Sequence, residues 1–284
     1  MKKVSLMLIM SLFFGSAFSQ TAAVDTSWKK GGFIGLNFTQ VNLSQWAQGG
    51  ENSLSLASNI NLFANYKTAK VDWQNTLDLG YAILSTTSGG VKKSDDKIDL
   101  TSKYSRNMSA HWLYGALLNF KSQFTNGYNY PDDSTVVSKF LSPGYITLAL
   151  GFTYKPVDYF EVFLSPATGK VTMVNDKLLS DLGAYGVDPG KTSKMEFGAY
   201  LNMKFKKDIM QNVTLTSKLE LFNNYTDKDK NNAKKIDVNW ESSLNMKVNK
   251  YITASITTTV FYDANVVERT QFKELLGIGF GYKF

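Results

Sequence analysis

From Asn52 onward the chain alternates with period two. Leu54, Leu56, Ile60, Leu62, Ala64 and Tyr66 hold the even positions, while Ser53, Ser55, Asn59, Asn61 and Asn65 hold the odd ones. Side chains along an extended strand point alternately to opposite faces, so this pattern predicts one strand with an apolar and a polar side. It runs for about 14 residues, against roughly 5 to 6 for a strand in a soluble protein. A tilted strand crossing a bilayer needs at least about 9 to 11.

The pattern recurs with its parity switching at each turn. Val71, Trp73, Leu77, Leu79, Tyr81 and Ile83 face away from Asp72, Gln74, Thr76 and Asp78. Ile98, Leu100 and Tyr104 oppose Asp99, Thr101 and Lys103; Trp112 to Phe124, Ile146 to Tyr154 and Phe160 to Leu164 behave alike. The second half repeats it at Met195 to Phe205, Val213 to Tyr225, Ile236 to Val248, Ile252 to Tyr262 and Phe272 to Phe284. With Ile34, Leu36 and Phe38 as the first strand, the count is about 12, an even number of the kind bacterial barrels use. The predicted fold is all-β: a transmembrane, antiparallel up-and-down barrel with both termini periplasmic.

The links alternate as such a barrel requires. Short ones are expected at Lys67 to Lys70, Asn107 to Ala110, Lys155 to Asp158, Lys206 to Asn212 and Asn249 to Lys250. Long ones are expected at Thr39 to Glu51, Ser85 to Asp96, Thr125 to Gly144, Ser165 to Ser193, Thr226 to Lys235 and Asp263 to Gln271. Aromatics on the apolar parity gather near strand ends, Tyr66, Trp73, Tyr104, Trp112, Tyr154 and Phe205 at one rim and Phe38, Phe124, Phe197, Tyr225, Trp240 and Phe272 at the other. That placement predicts two interfacial girdles. A soluble sandwich or lipocalin-like barrel would alternate too, but with shorter strands and no girdles.

The start of the chain adds a location. Lys2 and Lys3, the apolar run Val4 to Phe14, and Ala17-Phe18-Ser19 form a secretory signal with cleavage expected before Gln20. Residues 1–19 are then the signal and 20–284 one barrel domain, placed in a bacterial outer membrane. The apolar run is too short for a spanning helix, which needs roughly 20 residues. There is no cysteine, which removes disulfides, cysteine-ligated metal and cysteine nucleophiles. Without Lys2 and Lys3, 29 basic residues face 24 acidic ones, scattered rather than clustered, so no nucleic-acid surface is expected.

The polar parity carries charges of both signs, among them Asp72, Asp99, Lys103, Lys121, Glu161, Glu196, Lys204, Lys218, Glu220, Asp237 and Glu241. Enclosed charges must pair or stay hydrated. The lumen is therefore expected to be wet or laced by ion pairs. Gly277, Gly279 and Gly281 fall on the inward parity of the last strand, where they would admit another backbone or relieve curvature at closure. A plug is one candidate occupant, from the segment holding Trp46, Gln48, Gly49, Gly50 and Glu51 or from the link Pro166 to Lys191.

Several stretches carry a family resemblance. They are Trp46 to Ser53, Gln123 to Tyr128, Leu164 to Lys170, Gly183 to Val187, Lys247 to Tyr251 and Gly277 to Phe284. Together they resemble an uncharacterised family of Bacteroidota outer-membrane proteins, a domain of unknown function, which implies a fold and a location rather than an activity. Phe280, Tyr282 and Phe284 also look like the C-terminal strand signal read by outer-membrane assembly machinery, so that machinery and outer-membrane lipid are the expected partners.

Catalytic and metal motifs fare poorly. His111, the only histidine, lies near Ser102, Ser105, Ser109 and Asn107 and permits only a sketch of an outer-membrane lipase, with no Gly-x-Ser-x-Gly elbow. Asp227 to Asn231 opens like a calcium loop but has Asn232 and Val238 where the glycine and glutamate belong. Gly169-Lys170 lacks the rest of a phosphate loop. No enzyme and no cofactor are expected. The functional expectation is a narrow or loop-plugged pore for small polar solutes, with an accessory or scaffold subunit of a larger membrane complex as the alternative.

Overall fold

The computed structural model describes residues 27–43, 51–227 and 235–284. Among these, twelve antiparallel strands close into one barrel: β1 (Trp28–Val41), β2 (Ser53–Lys67), β3 (Val71–Thr86), β4 (Gly90–Asn107), β5 (Trp112–Ser122), β8 (Gly144–Val157), β9 (Phe160–Met173), β10 (Ser193–Met210), β11 (Val213–Asn224), β12 (Asp237–Lys247), β13 (Ile252–Asp263) and β14 (Val267–Lys283). The small ribbon β6 (Gly127–Tyr128) and β7 (Val136–Ser138) sits in the β5–β8 link. Each barrel strand pairs with its sequence neighbour, and β14 returns to β1. The expected export signal, Met1 to Ser19, lies outside the described residues.

The apolar parity faces outward all round. Leu276 and Ile278 are 68% and 62% exposed, whereas Lys103 and Glu220 on the inner face are 2% and 7% exposed. That is the inverse of a water-soluble sheet protein, whose apolar side is hidden. Polar groups that do face out satisfy one another. Trp240 Nε1 donates to Ser217 Oγ at 2.9 Å and Trp73 Nε1 to Ser102 Oγ at 2.9 Å.

Aromatics crowd the short-turn rim, which also holds Trp28 and Phe284. Trp28 lies 5.2 Å from Tyr66 and 5.7 Å from Trp73, and Trp112 lies 4.9 Å from Tyr154, between ring centroids. At the other rim Phe197 and Tyr225 meet edge-on at 6.2 Å. These are the two girdles the alternation predicted.

Two of the expected long links are corrected to strand, and in both cases a bulge is the cause. A bulge adds one residue and so moves every later side chain to the other face. Opposite Ala82 and Ile83, Ser94 is skipped, so the β3–β4 hairpin runs on to a tight turn where a loop from Ser85 to Asp96 was expected. On β9 the register jumps between Leu164 and Ala167, around Pro166, which has no N–H to give the ladder. There Ser165 Oγ donates to Leu150 O at 2.7 Å and receives Thr168 Oγ1 at 2.8 Å. Beyond it Thr168, Lys170 and Thr172 take over the inner face, so the link expected from Ser165 to Ser193 shrinks to residues 174–192. That link holds a one-turn helix, Lys177–Asp181, whose N-cap Asp176 accepts from Leu179 N–H at 3.1 Å.

Smaller corrections have plainer reasons. β1 begins at Trp28 rather than Ile34, because Gly31 and Gly32 interrupt the apolar pattern without interrupting the pairing to β2. β10 runs to Met210 and β14 starts at Val267, each past the last residue of apolar alternation. Strand ends that project beyond a greasy layer keep their ladder bonds but lose the reason for an apolar face.

Candidate functional site

The lumen is crossed by ion pairs that tie distant strands together. Nearest the short turns Lys155 lies 3.9 Å from Asp72, and just above it Lys103 Nζ on β4 meets Glu161 Oε1 on β9 at 2.7 Å, with Lys204 Nζ of β10 at 3.8 Å from the same oxygen. Gln74 Nε2, reaching from β3, donates to Glu161 Oε2 at 3.3 Å. In the next layer Lys218 bridges Asp99 at 3.2 Å and Glu220 at 3.0 Å, and Lys121 pairs with Glu220 from β5. Asn119 Nδ2 donates to Asp99 Oδ1 at 2.6 Å, while Tyr200 Oη donates to Glu220 Oε1 at 3.1 Å and Asn239 Nδ2 to Glu220 Oε2 at 3.0 Å.

Two further layers lie towards the long links. Lys97 Nζ of β4 reaches Glu241 Oε2 of β12 at 2.8 Å, although the two strands stand on opposite sides of the ring. Lys170 sits among Asp237, Asp263 and Glu196 at 2.9, 3.6 and 3.7 Å, and Lys194 adds a 3.0 Å contact to Glu196. Each buried carboxylate therefore has a cation and a neutral donor, the condition under which enclosed charge is tolerated. Of the two expectations, a wet lumen or one laced by ion pairs, this side of the barrel shows the second.

Sequence reasoning missed an apolar shelf between these layers. Leu117, Ala149, Phe163, Tyr200 and Phe222 pack together on the inner face of β5, β8, β9, β10 and β11. Lys170 Nζ stands 5.0 Å over the Phe222 ring. An apolar residue at a polar-parity position looks like noise in one strand. The readable signal was the pair of large rings at Tyr200 and Phe222, which face each other across β10 and β11.

The opposite inner wall differs in kind. Thr253 to Thr259 on β13, Gly277 to Gly281 on β14, Phe33 to Asn37 on β1 and Ser55 to Asn61 on β2 place no charge on the inner face, but nearer the long links Asp263 of β13 joins the Lys170 cluster and Lys273 of β14 pairs with Asp95 of β4 at 2.9 Å. Most of these side chains are half-buried, and Asn59, halfway along β2, is exposed while pointing inward. Space for water therefore remains beside this wall, where the charged wall is filled.

The sequence-derived candidates fall as follows. Trp46, Gln48, Gly49 and Gly50 lie outside the described residues. Glu51 lies at the β2 entry, where its carboxylate accepts Ser88 Oγ–H at 2.6 Å and Ser88 N–H at 3.0 Å, bonds that hold it below the ordinary glutamate range. Gly277, Gly279 and Gly281 line the β14–β1 seam. A Cβ at Gly277 would stand 2.9 Å from Asn37 Cγ and one at Gly281 2.6 Å from the Phe33 ring, so the nearest described groups against these glycines belong to β1, with Thr253 of β13 at 3.2 Å from the second. Phe280, Tyr282 and Phe284 point outward, with Tyr282 and Phe284 stacked at 6.1 Å. Of the Pro166 to Lys191 link, the part up to Met173 is barrel wall.

His111 is exposed at a short turn, and its carbonyl accepts Lys155 N–H at 2.8 Å. Ser102 is bonded to Trp73 and Asn75 on the outer face, while Ser105 points into the lumen. Among the described residues the serines and the histidine do not converge.

A family model described as a protein of unknown function (DUF3078) matches residues 38–128, which include the stretches Trp46 to Ser53 and Gln123 to Tyr128. No curated protein matches the chain. Among solved structures the chain is similar to the COG4313 outer membrane channel from Pseudomonas putida F1, at 13% identity and a TM-score of 0.43 over 95% of this chain and 100% of that one. It is also similar to the NanC porin, at 10% identity and 0.43 over 88% and 98%, and to OprB of Pseudomonas putida, at 8% identity and 0.32 over 91% and 94%.

Proposed function

We propose that the protein is an outer-membrane barrel that passes small polar solutes through a narrow lane along the β13–β14–β1–β2 wall, uncharged along Thr253 to Thr259 and narrowed towards the long links by the Lys273–Asp95 pair. The observation that carries this reading is the asymmetry of the lumen. Cross-barrel pairs and the apolar shelf fill one side, while Asn, Ser and Thr line a side with room for water. The exposed apolar surface supports the membrane location, since a continuous greasy band of this extent is found where lipid or a partner covers it. Bacterial 12-stranded barrels stand between side-chain-filled eight-stranded cans and open porins, which agrees with partial filling.

Lys97 and Glu241, about one-third exposed each, project into the remaining space, as does Lys273 from β14 with its partner Asp95. Planar-bilayer recording on the purified full chain tests the reading. The wild type is expected to show small, stable conductance, and truncating both residues together (Lys97→Ala with Glu241→Ala) is expected to raise it several-fold without stranding a charge. Silence from both proteins would sink the pore reading.

A second reading is supported by the long-loop end. Phe140, Leu178 and Leu182 are 54%, 57% and 70% exposed there, on links rather than on the barrel wall. Apolar side chains at that position suit an accessory subunit that docks a partner. Recovery of a stoichiometric partner under mild detergent, together with silence in the bilayer, would favour it.

A further inference from the structure

Outside the barrel wall, near the long-loop end, lies a recess that solute passage does not need. The Ser94 bulge turns Val91 and Lys93 outward beside Tyr81 and Ile83. The β5–β8 link folds down onto them and is held there. Lys93 Nζ donates to Thr125 O at 2.9 Å and pairs with Asp96 at 3.0 Å, and Asp96 accepts Phe124 N–H at 2.7 Å and Thr125 N–H at 2.9 Å. Lys93 N–H donates to Tyr130 Oη at 3.3 Å.

Between link and wall are two adjoining cavities of about 490 and 570 Å³ that share Val91, Tyr128 and Tyr130. Small-molecule sites occupy roughly 300 to 1,000 Å³. The lower cavity, lined also by Lys93 and, on the link side, by Thr125 and Asn126, opens beside Tyr81 and Ile83, in line with the apolar Leu79 and Ile98 of the outer wall. The upper one is polar, with Ser88, Lys92 and Asp133 around the tyrosines. Tyr128 and Tyr130 stand 6.1 Å apart at 59°, a half-open pair of flat faces. Lys92 Nζ lies 5.6 Å over the Tyr130 ring and, among the described residues, forms no salt bridge.

We infer that this recess binds the phosphorylated saccharide head of an outer-leaflet glycolipid. The split from apolar to polar matches an amphiphile standing at the membrane boundary, and an interfacial aromatic is suited to it because one side of the ring is greasy and its tip is wet. The tyrosine faces stack on the C–H faces of sugar rings, Asp133 accepts sugar hydroxyls, and Lys92 supplies the charge for a phosphate. The acyl chains would descend along Ile83 and Leu79. This inference rests on the membrane reading above.

Native mass spectrometry of the full chain in detergent micelles tests it, with a bis-phosphorylated diglucosamine lipid, its dephosphorylated form and phosphatidylglycerol as probes. The wild type should retain the phosphorylated glycolipid in preference to both others. Tyr128→Ala with Tyr130→Ala should lose on the order of tenfold in retention, and Lys92→Glu should abolish the preference for the phosphorylated form. Heat-dependent gel mobility confirms that each variant is folded. Equal retention by wild type and variants, or equal retention of phosphatidylglycerol, would overturn the inference. Failure of the wild type to insert into vesicles would instead remove the membrane reading beneath it.

Discussion

The two inner walls of this barrel solve the same problem by opposite means. On the β4 to β12 side the residues are large and charged, and they are locked to partners several strands away: Lys103 to Glu161, Lys218 to Asp99, Lys121 to Glu220 and Lys170 to Asp237. On the β13 to β2 side, from Thr253 to Thr259 and across to Asn61, they are neutral and mostly small, with Thr257 Oγ1 donating only to Ser243 Oγ on the adjacent strand. Enclosed charge has to be satisfied by other enclosed charge, so the first wall cannot open without cost. Small hydroxyl and amide groups can exchange protein partners for water. On the proposed reading, rigidity and permeability are thereby assigned to different strands.

The contrast is broken most severely by stranding a charge on the first wall. Lys103→Met leaves Glu161 buried with a cation only at 3.8 Å; a buried pair broken on one side costs about 3 to 5 kcal/mol. The expected result is a marked fall in the urea midpoint of the folded barrel, read by heat-dependent gel mobility. A change below about 0.5 kcal/mol, the level of surface substitutions, would show that the charged wall is wet.

A smaller loss is expected at the closure of the second wall. A Cβ at Gly279 would overlap the Leu36 carbonyl oxygen, whereas one at Gly169 meets nothing within 4 Å. Gly279→Val should destabilise by about 1 to 3 kcal/mol through overpacking, and Gly169→Ala should be near neutral. The seam is vulnerable because β1 and β14 pair only from Gly32↔Phe284 to Asn37↔Gly279, far less than the full-length pairing of β1 with β2. Equal effects of the two substitutions would mean the glycines do not set the fit.

The smallest effect belongs to the lane itself. Thr257→Lys adds a cation on a half-buried face that water can reach, with Glu241 the diagonal neighbour on β12, so stability should move by less than about 0.5 kcal/mol. Cation conductance should fall while anion conductance holds or rises. A loss as large as that of Lys103→Met would place Thr257 in a dry interior.

Much of this was legible in the alternation. Parity alone assigned Leu276 and Ile278 outward and Asp99, Lys103 and Glu220 inward, because a period of two has only two faces to choose between. It failed where the period slipped. Ser94 and Pro166 each shift the parity by one, and a reader of apolar spacing sees the pattern stop rather than turn over. The wall asymmetry was harder still. Which strands end up opposite one another depends on ring closure, so the meeting of Lys97 with Glu241 is invisible to spacing. The apolar shelf was hidden because Leu117, Ala149 and Phe163 occupy positions that pattern reading reserves for polar residues.

The chain has no cysteine, which makes single-cysteine labelling the most direct test of the orientation everything else depends on. Ala254, Ser255, Ile256, Thr257 and Thr258 along β13 would each be replaced in turn, reconstituted into vesicles and exposed to a water-soluble, membrane-impermeant thiol reagent. Labelling should be strong at 255 and 257 and absent at 254, 256 and 258. Uniform labelling, or strong labelling at the even positions, would contradict a barrel that turns its apolar face to lipid and its neutral wall to a wet lumen.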